Sequence, residues 1–242
     1  MRNSIYSTTA GMLTSAERLN VVANNLANVN STGFKSDQSF EQTIKFLMEG
    51  PYPGKDQPIL GGAMVNMNQG VLYTTGNNLD LALQGSGFFT VQGPNNQELY
   101  TRNGSFMLNS EKELVNNEGF PVLDKFNKKI KVFGEKVQIT SNGEVFVDDN
   151  YSTSLKVVDI PDRKDLEKVG NLYFTPKDNQ ATPAIMETPN VVTGALERSN
   201  VNLIEGIAET SLAQRTFELQ RNALDMVFRD VRKMITEIPR PV

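Results

Sequence analysis

Five asparagines fall within eleven residues of one helix-like stretch: Asn20, Asn24, Asn25, Asn28 and Asn30. Asparagine is a mediocre helix former, because its short amide competes with the backbone for hydrogen bonds. A helix that carries so many needs the amides for something other than local stability. Each amide donates and accepts at once, so a stripe of them can bond to other helices and fix their register. Groups for bond-making chemistry are scarce by comparison. The 242 residues contain no histidine and no cysteine. That removes thiolate nucleophiles, disulfides, the usual zinc ligands and the side chain most used for proton transfer near neutral pH. Asp80 and Glu98 are conceivable as an acid pair cutting a glycan, but nothing positions them, and they read as carboxylates at strand ends or turns. Gly85-Ser86-Gly87 and Gly61-Gly62 do not precede helices, so neither makes a phosphate-binding loop. The expectation is no catalytic residue, no metal site, no cofactor and no small-molecule substrate.

Composition narrows the partners. The net charge is −4 with no basic patch that stands out, which argues against nucleic acid. No apolar run, glycine excluded, exceeds three residues, far short of the ~20 that span a bilayer. Residues 1–30 carry an early Arg2 but no apolar core of a cleavable signal. A cytoplasmic location is the default, and export without cleavage stays open.

The elements that must position the amides are helical. Residues 3–30 read as one amphipathic helix. Ile5, Met12, Leu19 and Leu26 recur every seven, with Ala16 and Ala23 four after Met12 and Leu19. This is a coiled-coil-type seam with one large and one small side, and Gly33 marks where the helix can end. Residues 199–238 return to helix. Ala213, Phe217, Gln220, Leu224, Val227, Val231, Met234 and Ile238 step alternately by four and three, with Ser199 or Asn200 as cap. The economical inference is that the two seams pair. Two helices alone bury too little to offset the entropy of ordering them, so they are expected to order against neighbouring copies.

Between them, residues 36–70 are broken by Pro51, Pro53, Pro58 and several glycines and read as a linker with short extended pieces. Residues 71–198 read as short strands separated by Asn, Gly and Asp turns. Asn142-Gly143 signals a two-residue hairpin turn between Gln138–Ile139 and Glu144–Val147, and Asn103-Gly104 is a second such signal. Residues 154–159 read as one strand and 162–168 as a turn of solvated helix. Arg102 is placed as an ion-pair partner of Asp80. The expected fold is α+β: a β-rich central domain, an irregular sandwich or barrel (71–198), a linker (36–70), and a discontinuous helical coiled-coil domain (1–35 with 199–242).

Three separated motifs then identify a family. Asn24-Asn25-Leu26-Ala27-Asn28 with Thr32-Gly33-Phe34-Lys35 comes first. Leu79-Asp80-Leu81-Ala82-Leu83, Gly87-Phe88-Phe89 and Tyr100-Thr101-Arg102-Asn103-Gly104-Ser105-Phe106 follow. Gly194-Ala195-Leu196-Glu197-Arg198-Ser199-Asn200-Val201-Asn202 and Gln214-Arg215-Thr216-Phe217-Glu218 close the series. The chain resembles the bacterial flagellar axial family, the rod and hook proteins of the basal body. The resemblance implies subunits that stack helically into a hollow rod, a drive shaft that transmits torque and conducts exported subunits. The terminal helices would line the inside as a coiled-coil domain, with the β domain outside. It also implies partners among copies of itself and other rod and hook proteins, export through the flagellar type III apparatus without signal cleavage, and a final place in the periplasmic rod. Phe40 and Ile44 in Phe40-Glu41-Gln42-Thr43-Ile44 are similar to the family's export motif. The single β region argues against a hook protein. The short stretch from Phe34 to Gly70 favours the proximal rod, and Gly87-Phe88-Phe89 is more like the distal form. Inter-subunit contacts are expected at Leu19, Asn24, Asn25, Leu26 and Asn28, and at Gln214, Phe217, Gln220, Leu224 and Val231. The reading of another class is a monomeric β-domain adhesin or binding module, which leaves the two terminal seams unexplained.

Overall fold

The computed structural model describes residues 2–44, 57–134, 136–161, 166–177 and 183–236, and their side chains from residue 8 onward except over 39–44, 57–63, 231 and 234–236. The chain divides into two compact units. One comprises Met1–Ala27, Asp37–Asn66 and Asn202–Val242, the other Asn28–Ser36 and Met67–Val201.

The first unit holds helices α1 (Arg2–Ala27) and α2 (Leu203–Thr236) and a hairpin of β1 (Asp37–Ile44) and β2 (Gln57–Val65). The first helix stops three residues before the expected Asn30. Asn28 turns the chain there: its carbonyl accepts from the Ser31 amide at 3.1 Å and its side-chain oxygen from the Ser31 hydroxyl at 3.2 Å. The cap of α2 is Asn202 rather than Ser199 or Asn200, its side chain accepting from the amides of Ile204 and Glu205 at 3.1 and 3.4 Å. An Asn at this position satisfies amides that have no partner in the first helical turn.

The two helices pack antiparallel, Gly11 and Ser15 beside Gln220 and Leu26 beside Gly206. The seam on α2 runs through Gly206, Ala213, Phe217, Gln220, Leu224 and Val227, all fully or partly buried, at the expected spacing. On α1 it is offset. The spacing predicts Ala16 and Ala23 as its small side, but Ser15 and Val22 are its most buried members and Ala23 is exposed. Gln220 is the physical reason. A buried amide needs both room and a partner. Gly11 provides the room, since a Cβ there would stand 3.0 Å from the Gln220 amide nitrogen. The Ser15 hydroxyl provides the partner, donating to Gln220 Oε1 at 2.9 Å.

Residues 36–70, read as a linker, contain the β1–β2 hairpin, paired antiparallel from Asp37 opposite Val65 to Ile44 opposite Gln57, with a register shift between Ser39 and Glu41. Asn25 fixes its start. The side chain of Asn25 accepts from the Asp37 amide at 2.8 Å and donates to the Asp37 carbonyl at 2.7 Å, so one amide imitates a strand neighbour. Pro51 and Pro53 lie outside the described residues, and Pro58 sits in β2.

The second unit contains fifteen short strands: β3 (Leu72–Thr74), β4 (Leu81–Leu83), β5 (Phe88–Gln92), β6 (Glu98–Thr101), β7 (Phe106–Leu108), β8 (Leu114–Asn116), β9 (Val137–Ile139), β10 (Glu144–Val147), β11 (Asn150–Ser154), β12 (Val157–Asp159), β13 (Leu166–Val169), β14 (Tyr173–Pro176), β15 (Ala184–Ile185), β16 (Val191–Thr193) and β17 (Ala195–Glu197). The main sheet has the order β13-β14-β6-β5-β12-β15. It is open, and no closed barrel forms among the described residues. Small sheets β9-β10-β11, β7-β8, β4-β16 and β3-β17 complete the unit. Its core gathers Leu81, Leu83, Phe89, Val91, Phe106, Leu114, Val122, Leu155 and Val157, with Phe89 and Phe106 edge to face at 5.3 Å between centroids.

Local readings shift in three places. The hairpin at Asn142-Gly143 has a three-residue loop, because Val145 faces Ile139 and Gly143 alone takes positive φ (+76°). That geometry is a turn closed by a left-handed glycine, the next commonest hairpin after the two-residue form. Asn103-Gly104 is not a hairpin turn. Gly104 is required because a Cβ there would run into the Leu81 carbonyl. Residues 154–159 split between β11 and β12, in different sheets. Of the stretch read as solvated helix, 162–165 lie outside the described residues and Leu166–Val169 is a strand, with Leu166 buried and paired to Pro176.

Candidate functional site

The surface suited to contact chemistry is on the helical unit. Helix α2 carries a second 4–3 stripe beside the seam that meets α1: Leu212, Thr216, Leu219, Ala223 and Met226. Its three large members stand 58, 69 and 56% exposed in the isolated chain. Three large apolar side chains seven residues apart make a continuous ridge on one helix face. Leu203, Ile204 and Ile207 extend the exposed apolar surface toward the start of α2. A single exposed leucine is ordinary, whereas a row of them marks an interaction surface. On α1 the exposed face is different: Leu13, Glu17, Asn20, Asn24 and Ala27, mostly polar or small.

The residues expected at subunit contacts divide accordingly. Asn24 and Gln214 are exposed. Leu19, Leu26, Phe217, Gln220 and Leu224 are partly buried along the α1–α2 seam, where Leu26 stands 3.8 Å from where a Cβ on Gly206 would be. Asn25 is engaged with β1 and Asn28 with Ser31. Val231 is in α2, but its side chain lies outside the described residues, as do those of Phe40 and Ile44 in β1. Gly11, Ser15 and the exposed stripe are positions that sequence reasoning misses. For the stripe a signal is present in the 4–3 spacing of Leu212 to Met226, hidden beside a more apolar stripe one residue away.

The second unit holds a buried polar cluster around Glu197. Lys35 Nζ donates to Glu197 Oε1 at 2.6 Å and to the Asn68 carbonyl at 2.8 Å. Arg102 reaches the other Glu197 oxygen at 3.4 Å and donates to the Gly85 carbonyl at 2.7 Å. The Gly70 amide donates to Glu197 Oε1 at 2.8 Å, and the Gly33 amide to the Glu197 carbonyl at 2.8 Å. Lys35 and Glu197 are each 1% exposed. Around them, Asn200 accepts from the Ser36 amide at 2.8 Å and donates to the Asn68 carbonyl at 3.0 Å. Thr32 donates to Asn103 at 2.9 Å. Lys168 lies 4.3 Å above the Phe34 ring and donates to the Lys35 carbonyl. Thr32–Lys35, Arg102–Gly104 and Glu197–Asn200 come from three distant motifs, and the fold makes them one site. Gly33, in the left-handed region at φ +70°, belongs to it sterically: a Cβ there would collide with the backbone of Arg102 and Asn103. Arg102, expected beside Asp80, therefore has Glu197 as its carboxylate.

The two carboxylates conceivable as an acid pair sit in structural surroundings. Glu98 is bonded through both oxygens to Lys156, at 2.8 and 2.9 Å, and receives the Tyr100 hydroxyl at 3.4 Å. Burial, with Glu98 beside it, pushes that hydroxyl up to about 12. Asp80 is buried in a strand bridge to Ser105. Among the described residues no cluster of acidic or sulfur ligands could hold a metal, and no helix is long and apolar enough to cross a membrane.

Comparison with known proteins agrees with the motifs. Residues 5–35 match the family model described as flagella basal body rod protein. Residues 82–147 match that of the flagellar hook protein FlgE/F/G D1 domain. The chain is 32% identical to the flagellar basal-body rod protein FlgF of Caulobacter vibrioides, covering 93% of both chains. It is 30% identical to FlgG of Buchnera aphidicola from Acyrthosiphon pisum, over 91% of this chain and 94% of that one. Against FlgG of Bacillus subtilis identity is 28%, over 90 and 92%.

Proposed function

The chain belongs to the flagellar basal-body rod protein family, and from that membership we propose that it is a structural, non-enzymatic subunit that polymerises helically into the rod. The observation that carries this reading is the exposed stripe Leu212–Leu219–Met226, adjacent on α2 to the seam that meets α1. One helix with two adjacent 4–3 stripes is built to touch two helices, and the isolated chain supplies one. The second is covered by neighbouring rod or hook-family subunits, in coiled-coil-type packing. Asn24 and Gln214 lie on the exposed helix faces and fix register between subunits, as a polar group at a helical interface does. Leu19, Leu26, Phe217, Gln220 and Leu224 act through the α1–α2 pair that presents this surface, and Val231 continues the same 4–3 spacing in sequence. The protein reaches the periplasmic rod through the flagellar export apparatus, with Phe40 and Ile44 as its export signal.

We place the subunit in the proximal rod, on the short stretch between Phe34 and Gly70. The distal rod is the second reading, favoured by Gly87-Phe88-Phe89. Deletion of the gene is expected to leave cells non-motile, with basal bodies that stop short of a complete rod, and the wild-type gene supplied in trans restores both. Complete rods and normal swimming in the deletion strain contradict the assignment.

A further inference from the structure

The buried cluster in the β-rich unit has a topological property that follows from its sequence separations. Five of the ten strand pairings described in this unit are local: β5-β6, β7-β8, β9-β10, β10-β11 and β13-β14 are neighbours in sequence. The exceptions include those that join its two ends. Strands β3 and β4 pair with β17 and β16, from the far end of the unit. The Lys35–Glu197 contact spans 162 positions, the Ser36–Asn200 bond 164 and the Gly70–Glu197 bond 127. Long loops close late, because chain entropy must be given up before the contact returns anything. A charge cluster adds a second reason. Lys35 and Arg102 leave water for good only when a carboxylate is there to meet them, since a half-built buried pair is worse than a solvated one.

We propose that docking of residues 191–200, completed by Glu197 between Lys35 and Arg102, is the last step in folding of the β-rich unit. A chain delivered amino terminus first therefore holds this unit open until its last signature segment arrives. The local hairpins form without that segment; strands β3 and β4 wait for it. This makes the cluster a closure device, and it accounts for the meeting of three distant motifs at one point.

Folding and unfolding rates of full-length variants test this. The chain has no tryptophan, so the signal is the near-ultraviolet dichroism of tyrosine, with Tyr100 and Tyr173 buried in this unit. Glu197→Gln is expected to raise the unfolding rate about a hundredfold or more while changing the refolding rate less than about threefold. Val191→Ala, at the buried first position of β16, is expected to raise unfolding roughly tenfold with the same insensitivity of refolding. Val91→Ala and Leu114→Ala, in the locally paired core, are expected to slow refolding. If Glu197→Gln does not fold, Val191→Ala decides alone. Refolding slowed by Glu197→Gln or Val191→Ala as much as by Val91→Ala overturns the proposal.

Discussion

Replacing Glu197 with alanine is expected to destabilise the β-rich unit by about 3–5 kcal/mol, the usual effect of removing one partner of a buried ion pair. The carboxylate accepts from Lys35, Arg102 and the Gly70 amide. Without it two cations remain in a site closed to water, and solvent cannot reach them without opening the unit. A loss of that size is a large fraction of the ~5–15 kcal/mol by which domains are stable at all, so much of the variant is expected to be unfolded near physiological temperature. A thermal melt followed through tyrosine dichroism reads the effect. Glu111→Gln, at an exposed position of the same unit, is expected to stay within about 0.5 kcal/mol of wild type. Adding Lys35→Met to the Glu197 variant should recover part of the loss, since it removes one of the stranded charges. A Glu197→Ala protein as stable as the Glu111→Gln protein would mean that the cluster is not holding the unit together.

The second large effect concerns assembly. Leu219→Asp is expected to abolish rod assembly and swimming while leaving the isolated chain folded. Leu219 is 69% exposed, so aspartate there is solvated in the monomer and leaves the Gln220–Ser15 seam intact. In an apolar contact with a neighbour, the same carboxylate is desolvated with no partner. About 3 kcal/mol per contact weakens association roughly a hundredfold, and each subunit of a helical assembly makes that contact repeatedly. Leu219→Met keeps volume and hydrophobicity and is expected to assemble normally. Circular dichroism of the purified variants, with swimming assays of the strains, separates a folding defect from an assembly defect. Normal swimming by the Leu219→Asp strain would show that the stripe faces solvent in the rod.

These two sites are legible in the sequence to different degrees, for physical reasons. The helices are visible because a sustained 4–3 apolar repeat matches the turn of a helix with one buried face and not the alternation of a strand. The α2 seam from Ala213 to Val227 falls on the expected positions. On α1 the spacing finds Leu19 and Leu26 but not Ser15, because it counts apolar side chains and Ser15 is held by a polar contact to Gln220. Only the structure shows that Gln220 selects Gly11 and Ser15 as its neighbours. The amides of Asn25 and Asn28 hold the start of a hairpin and a turn, which have no signature of their own in the sequence. The β-rich unit is recognisable as such, yet its sheet order depends on pairings of distant segments that local patterns do not encode. The cluster around Glu197 is the clearest case. Lys35, Arg102 and Glu197 each sit in a motif the sequence displays, and nothing in any one motif says that Lys35 and Arg102 share a carboxylate 162 and 95 positions away.

The central claim is that this chain is a rod subunit held to its neighbours through the open face of α2. An electron cryomicroscopy map of the intact basal body, at a resolution that shows side chains, tests it most directly. Density for this chain is expected within the rod, with Leu212, Leu219 and Met226 covered by a helix of an adjacent subunit. A rod built without this chain, or one in which that stripe lies bare, would contradict the claim.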